Sequence, residues 1–100
     1  MGDMPTFVLL HVRGPAVADG QTVAEHPGIA GHYAFLQRRH AAGELVMAGP
    51  FEDVEGNGMT VLEVASIEEA RRLATQDDQS VVDGVLAVTV RPWHVVMSRE

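Results

Sequence analysis

The stretch His32–Phe51, HYAFLQRRHAAGELVMAGPF, decides how this chain is read, because a helical repeat runs there through a glycine straight into a strand. From Pro27, a residue suited to a first helical turn, apolar or semi-apolar groups recur at Ile29, Tyr33, Leu36 and His40, the i, i+4, i+7, i+11 stripe of an amphipathic helix. Gly43 supplies the left-handed cap that ends it. At about 100° per residue, His32 stands roughly 60° from Ile29, with Phe35, Leu36 and Arg39 on its own flank. An imidazole is thereby placed at the edge of a core. Glu44–Phe51 then reads as a strand closed by Gly49-Pro50.

Working outward, Thr6–Val12 is a strand by its β-branched and aromatic content, apolar on both alternating faces: Phe7 and Leu9 on one, Val8, Leu10 and Val12 on the other. Arg13–His26 reads as a polar, small-residue connection. After the second strand, Glu44–Phe51, EDVEGNG at 52–58 is an acidic, glycine-rich hairpin loop leading into a third strand, Met59–Ala65, antiparallel to the second. Ser66-Ile67-Glu68-Glu69 has the form of a capping box and starts a helix that runs to about Gln76, with Ile67, Ala70, Leu73 and Ala74 as its apolar face. Asp77-Asp78 ends that helix, and 79–84 is a turn or a single helical turn. Val85–Val96 is the last extended region, with Pro92 marking an edge or a bulge. The order β-α-β-β-α-β specifies an α+β, ferredoxin-like fold: a four-stranded antiparallel sheet with two helices on one face. The strands are apolar on both sides, so the uncovered face would expose a broad apolar patch, and a homodimer packed sheet to sheet is the expected outcome.

Composition narrows the function classes. The chain has 100 residues, 46% of them hydrophobic, which suits a single domain over its whole length. Without cysteine there are no disulfides, thiolate metal sites or cysteine nucleophiles, and a reducing cytoplasm is the default compartment. Acidic residues outnumber basic ones 14 to 7, and a net charge of −7 argues against nucleic acid as partner. No apolar run approaches the roughly 20 residues of a membrane span, and MGDMPTFVLL lacks the basic leader of a secretory signal. Neither G-x-G-x-x-G nor a phosphate-binding loop occurs, so no nucleotide cofactor is expected. Among the five histidines no i, i+4 pair occurs and no carboxylate stands at ligand spacing, so a preformed metal site is not expected. Ser66 serves as a cap and Ser80 lies in a turn, neither within a nucleophile elbow. Acid–base chemistry is what remains.

The succession HYAFLQRRHAAGELVMAGP, a further strand, a Ser-x-Glu-Glu-Ala helix start at Ser66, the Asp77-Asp78 pair, Gly84 and Val90-Arg91-Pro92-Trp93 resembles the YCII-related domain over about Thr6 to Val96. The resemblance implies a ferredoxin-like fold of the dimeric α/β barrel superfamily. It also implies a catalytic pair formed by the histidine that opens the helix motif and an aspartate after the second helix, which fall here on His32 and Asp78. In the family that aspartate usually precedes proline. This chain has Gln79 there, and Asp77 is an alternative partner.

An imidazole held by a carboxylate has its tautomer fixed and its protonated form stabilised, leaving the other nitrogen to take a proton from substrate or water. Asp78 has a purely structural reading as well, as a helix terminator. Arg39 shares the flank of His32 and is a candidate for anchoring a substrate carboxylate or phenolate. His11 lies in the first strand and is a candidate for facing the same cleft, whereas Tyr33 and His40 read as packing groups and His26 and His94 as peripheral. Two functions follow: a small cofactor-independent enzyme acting by proton transfer on a small organic substrate, through elimination, isomerisation or hydrolysis, or a non-catalytic dimeric module that binds a small ligand or a protein partner.

Overall fold

A computed structural model describes residues 4–99, so the first three residues of the N-terminal stretch lie outside it. The chain runs through β1 (Thr6–Arg13), α1 (Ile29–Ala41), β2 (Leu45–Pro50), β3 (Gly58–Glu63), α2 (Ile67–Arg72), α3 (Gln79–Val82) and β4 (Leu86–Trp93). The strands form one antiparallel sheet in the order β2-β3-β1-β4. This is the α+β, ferredoxin-like arrangement expected from the sequence.

Alternation sorts the sheet into two faces. Phe7 and Leu9 of β1 and Leu62 of β3 join Phe35 of α1, Ala70 of α2, and Leu73 and Ala74 just beyond it in one core, so the helices cover a single face. Withdrawing side chains as large as Leu9 and Phe35 from water contributes about 2–3 kcal/mol each. A second cluster, Val17, Val23, Val85 and Leu86, is capped by Ile29 and Val81. It folds the 14–28 connection, which reads as polar in sequence, onto the start of β4. Glu55 in the β2–β3 loop accepts hydrogen bonds from the backbone of Val23 and Ala24 (3.0 and 3.1 Å), tying that loop to the connection.

Three local differences from the sequence reading position the site. First, α1 begins at Ile29 rather than in the Pro27 turn, where His26 Nδ1 accepts from the Gly28 N–H at 2.9 Å. The helix is also rotated relative to the expected stripe: Phe35 is its buried residue, while Tyr33 and His40 are exposed. A phenyl ring gains more from complete burial than a phenol, whose hydroxyl is satisfied by water. The rotation carries His32 from the flank toward the interior.

Second, the helix after Ser66 does not run evenly to Gln76. Its cap forms as expected, Ser66 Oγ accepting from the Glu69 N–H at 3.1 Å, but the Glu69 side chain turns forward to Arg72 instead of back to Ser66. The helix then widens into a π turn over Leu73–Asp77, after which the single helical turn expected from the sequence forms as α3. Third, α1 passes close to α3 at Gly31, where an added Cβ would stand 3.0 Å from the Gln79 Cβ and 3.3 Å from the Ser80 nitrogen. The absence of a side chain there lets the residue after it, His32, meet the segment that carries Asp78.

Candidate functional site

His32 and Asp78, 46 positions apart in sequence, meet where α1 crosses the start of α3. The His32 Nδ1 to Asp78 Oδ2 distance is 2.7 Å, with the imidazole side chain 13% exposed and the carboxylate 0%. Asp78 fills both of its expected roles, because its two oxygens divide the work. Oδ2 faces the imidazole, while Oδ1 accepts from the Ser80 N–H at 3.0 Å and from the Ser80 hydroxyl at 2.7 Å, capping α3. Burial by itself would raise the Asp78 carboxyl, but the hydrogen bonds from His32 and Ser80, helped by the charge of His32, outweigh it and hold the group below its ordinary value. An ionised carboxylate only accepts, so Nδ1 carries the hydrogen and donates it. The other ring nitrogen, Nε2, makes no hydrogen bond among the described residues.

Asp77 is turned elsewhere. It accepts from Arg38 and lies 3.4 Å from Arg39, which is held at 2.6 Å by Glu44 and stacks on Phe35. Arg39 does not line the cavity in front of His32.

That cavity, about 240 Å³, is bounded by α1, the β2–β3 hairpin and its loop, and Val23 and Ala24 of the long connection. His11 and His32 both line it, and Tyr33, 52% exposed, stands at its rim with its ring 5.9 Å from that of His32. His11 is on the core side of β1, 3% exposed, its ring 4.7 Å from His32 at a steep angle. Its Nε2 lies 3.1 Å from the Thr60 hydroxyl, and its Nδ1 is buried without a hydrogen-bond partner. Burial, with the neighbouring His32 adding to it and Asp78 opposing, lowers the His11 pKa to about 4. His11 is thus neutral beside His32.

One donor atom each from His11, His32 and Asp78 lie within 4.8 Å of one another, the one group among the described residues with metal-ligating potential. These are nitrogen and oxygen donors of the type that zinc and its neighbours accept. No i, i+4 spacing in the sequence marks this group, since its members come from β1, α1 and the turn before α3. Thr60 and Ser80 also went unassigned. Ser80 had a signal, the Asp-x-Ser pattern at 78–80 typical of a side chain capping its own turn. Thr60 had none, because its role depends on the β1–β3 register that sets it across from Leu9, next to His11.

A broad apolar groove lies on the uncovered sheet face, away from His32, and includes Met47, Met59, Val61 and Trp93. No helix among the described residues is long and apolar enough to cross a membrane.

Comparison with known proteins agrees with this architecture. The family model described as the YCII-related domain matches residues 6–94. The chain is also 42% identical over 65 residues to the uncharacterized protein YjpA of Bacillus subtilis (strain 168), a match covering 65% of this chain and 74% of that protein. With the sheet order, the His32–Asp78 contact and this match in hand, the chain belongs to the YCII-related domain family.

Proposed function

We propose that this protein is a small cofactor-independent enzyme that moves a proton on a small organic molecule, with His32 as the base and Asp78 as its positioning partner. The observation that carries the reading is the 2.7 Å contact between His32 Nδ1 and a fully buried carboxylate that Ser80 holds from behind. Ordering both partners in advance is what a general base needs and what a surface ion pair lacks. The proton leaves a C–H or O–H of the substrate for Nε2, the electron pair stays on the substrate, and Asp78 stabilises the resulting imidazolium through Nδ1–H. Elimination, isomerisation or hydrolysis then follows according to the substrate. His11, on the same cavity wall, contacts the substrate. Arg39 has no part, since it does not line the cavity and its two terminal nitrogens face Glu44 and Asp77. The working form is a cytoplasmic homodimer joined through the open sheet face, a reading supported by the apolar groove there and by the absence of cysteine.

The test is exchange of carbon-bound hydrogen for deuterium in a set of small ketones and phenols, followed by NMR in D2O. His32→Ala should slow protein-dependent exchange by about 10² or more. If exchange at the wild-type rate persists in His32→Ala, His32 is not the base; if no compound exchanges at all, the protein is a binding module in which Asp78 serves to hold His32 and to cap α3.

A further inference from the structure

We infer that the cavity takes a compact, uncharged molecule bearing a hydroxyl or carbonyl oxygen, that this oxygen accepts a hydrogen bond from His11 Nδ1–H beside His32, and that carboxylates and phosphates are excluded. The inference rests on the reading of His32 given above, and it names the substrate class of that site.

Size sets the first limit. A space of about 240 Å³ equals the liquid volume of about eight waters at roughly 30 Å³ each, enough for a single ring with small substituents. Its walls are apolar, formed by Val23, Ile29, Leu36, Pro50 and Leu86, and the two imidazoles form a polar end.

Charge sets the second. None of the seven arginines lines the cavity, and the chain has no lysine. Arg13 is spent on the carbonyls of Val17, Ala18 and Gln21, Arg38 on Asp77, Arg39 on Glu44 and Arg72 on Glu69. The charged side chain that does border the cavity besides the histidines is acidic, Glu55. A protonated His32 is already matched by Asp78, so an anionic ligand would bring a second carboxylate to one imidazolium without a cation to offset it.

The third argument is a hydrogen count at His11. Thr60 is fully buried, is absent from the cavity wall, and its hydroxyl has His11 Nε2 as its partner. Were Nε2 the protonated nitrogen, the Thr60 O–H would be stranded inside the core with no acceptor. With the hydroxyl donating to Nε2, the neutral ring carries its hydrogen on Nδ1, and the shortfall moves to the residue that lines the cavity. That N–H has almost no accessible surface, so a ligand oxygen at the junction of the two rings meets it as the His11 ring turns toward the cavity it lines. The same oxygen, or the carbon next to it, then lies beside the nitrogen of His32 that is free to take a proton.

The experiment uses the full-length protein with ¹⁵N-labelled histidine and three probes, phenol, benzoate and phenyl phosphate, at neutral pH. The expected results are an Nδ1–H tautomer for His11, phenol-dependent shifts of both imidazoles, and phenol binding at least tenfold tighter than benzoate or phenyl phosphate. In the paired variant His11→Leu with Thr60→Val, which leaves no bare hydroxyl, phenol affinity should fall at least tenfold. An Nε2–H tautomer, benzoate or phosphate binding as tight as phenol, or phenol that leaves both rings unshifted would each overturn the inference. None of these touches the His32 exchange test, and failure of that test leaves these binding results standing.

Discussion

His11 and His32 show how one residue type takes two different characters a few ångströms apart. Both line the cavity, but His32 keeps an ionised partner, whereas His11 is almost wholly buried with a hydroxyl for company. The consequence for stability follows from linkage. The folded-state pKa of His11 is lowered from 6.5 to about 4, first by burial and then by His32, so between those values the unfolded chain binds a proton that the folded chain refuses. Stability from this group is complete above about pH 6.5 and declines as pH falls, reaching a loss of about 3 kcal/mol near pH 4. Urea unfolding at pH 7.5 and 4.5 checks it: the wild type should lose stability on acidification, and the paired variant His11→Leu with Thr60→Val should lose at least about 1 kcal/mol less. An equal loss in both would assign the acid sensitivity to other groups. Asp78 acts in the same direction at lower pH, since its depressed carboxyl loses its contribution as pH drops below the ordinary carboxylate range.

At the scale of elements, the segment from Asp77 to Val82 does what a longer regular helix would not. The π turn ends α2 and lets the chain reverse at Asp78, whose extended backbone (φ −89°, ψ 103°) starts α3. Gln79 is therefore the first residue of a helix, preceded by an extended residue, which is the setting that proline prefers. The restraint that proline would supply comes here from Ser80, through its two hydrogen bonds to Asp78 Oδ1. Gln79→Pro should then stabilise the protein by about 0.5–1 kcal/mol, read as a rise in the urea midpoint, because it narrows the unfolded ensemble without opposing the native turn. A loss of stability would mean that the Gln79 N–H or its contact with Asp83 matters more than the backbone restraint.

For the whole molecule, the question is the sheet face that no helix covers. Val8, Leu10 and Met59, half-buried, alternate with the core residues of their strands and face the open side beside the buried Val61, joined by Met47, 62% exposed, and Trp93, 47% exposed. An apolar surface of this kind on a chain with net charge −7 is not there for solubility. Sedimentation equilibrium should find a dimer at micromolar concentration. Met47→Glu combined with Trp93→Glu should weaken association by at least about 100-fold, since two buried carboxylates without partners oppose it, while leaving the helix-side core folded. A monomeric wild type would assign the groove to another role.

Periodicity and turn chemistry settled the element order and the antiparallel hairpin, because alternation, the Gly43 cap and the Ser66 cap are local facts that the backbone must obey wherever it is placed. Motif resemblance singled out His32 and Asp78. What local pattern did not contain was the rotation of α1 that buries Phe35 and draws His32 inward, since it depends on which ring the opposing strands can accommodate. Nor did it contain the commitment of Arg39 to Glu44, the choice of Asp78 over Asp77, or the meeting of His11 with Thr60 and His32. Those are relations between residues up to 49 positions apart, set by strand register and by the close passage of α1 over α3 at Gly31. Sequence determined the elements because their causes lie within a few residues; tertiary structure alone decided which groups surround His32 and Asp78, because hydrogen bonds and desolvation act through space.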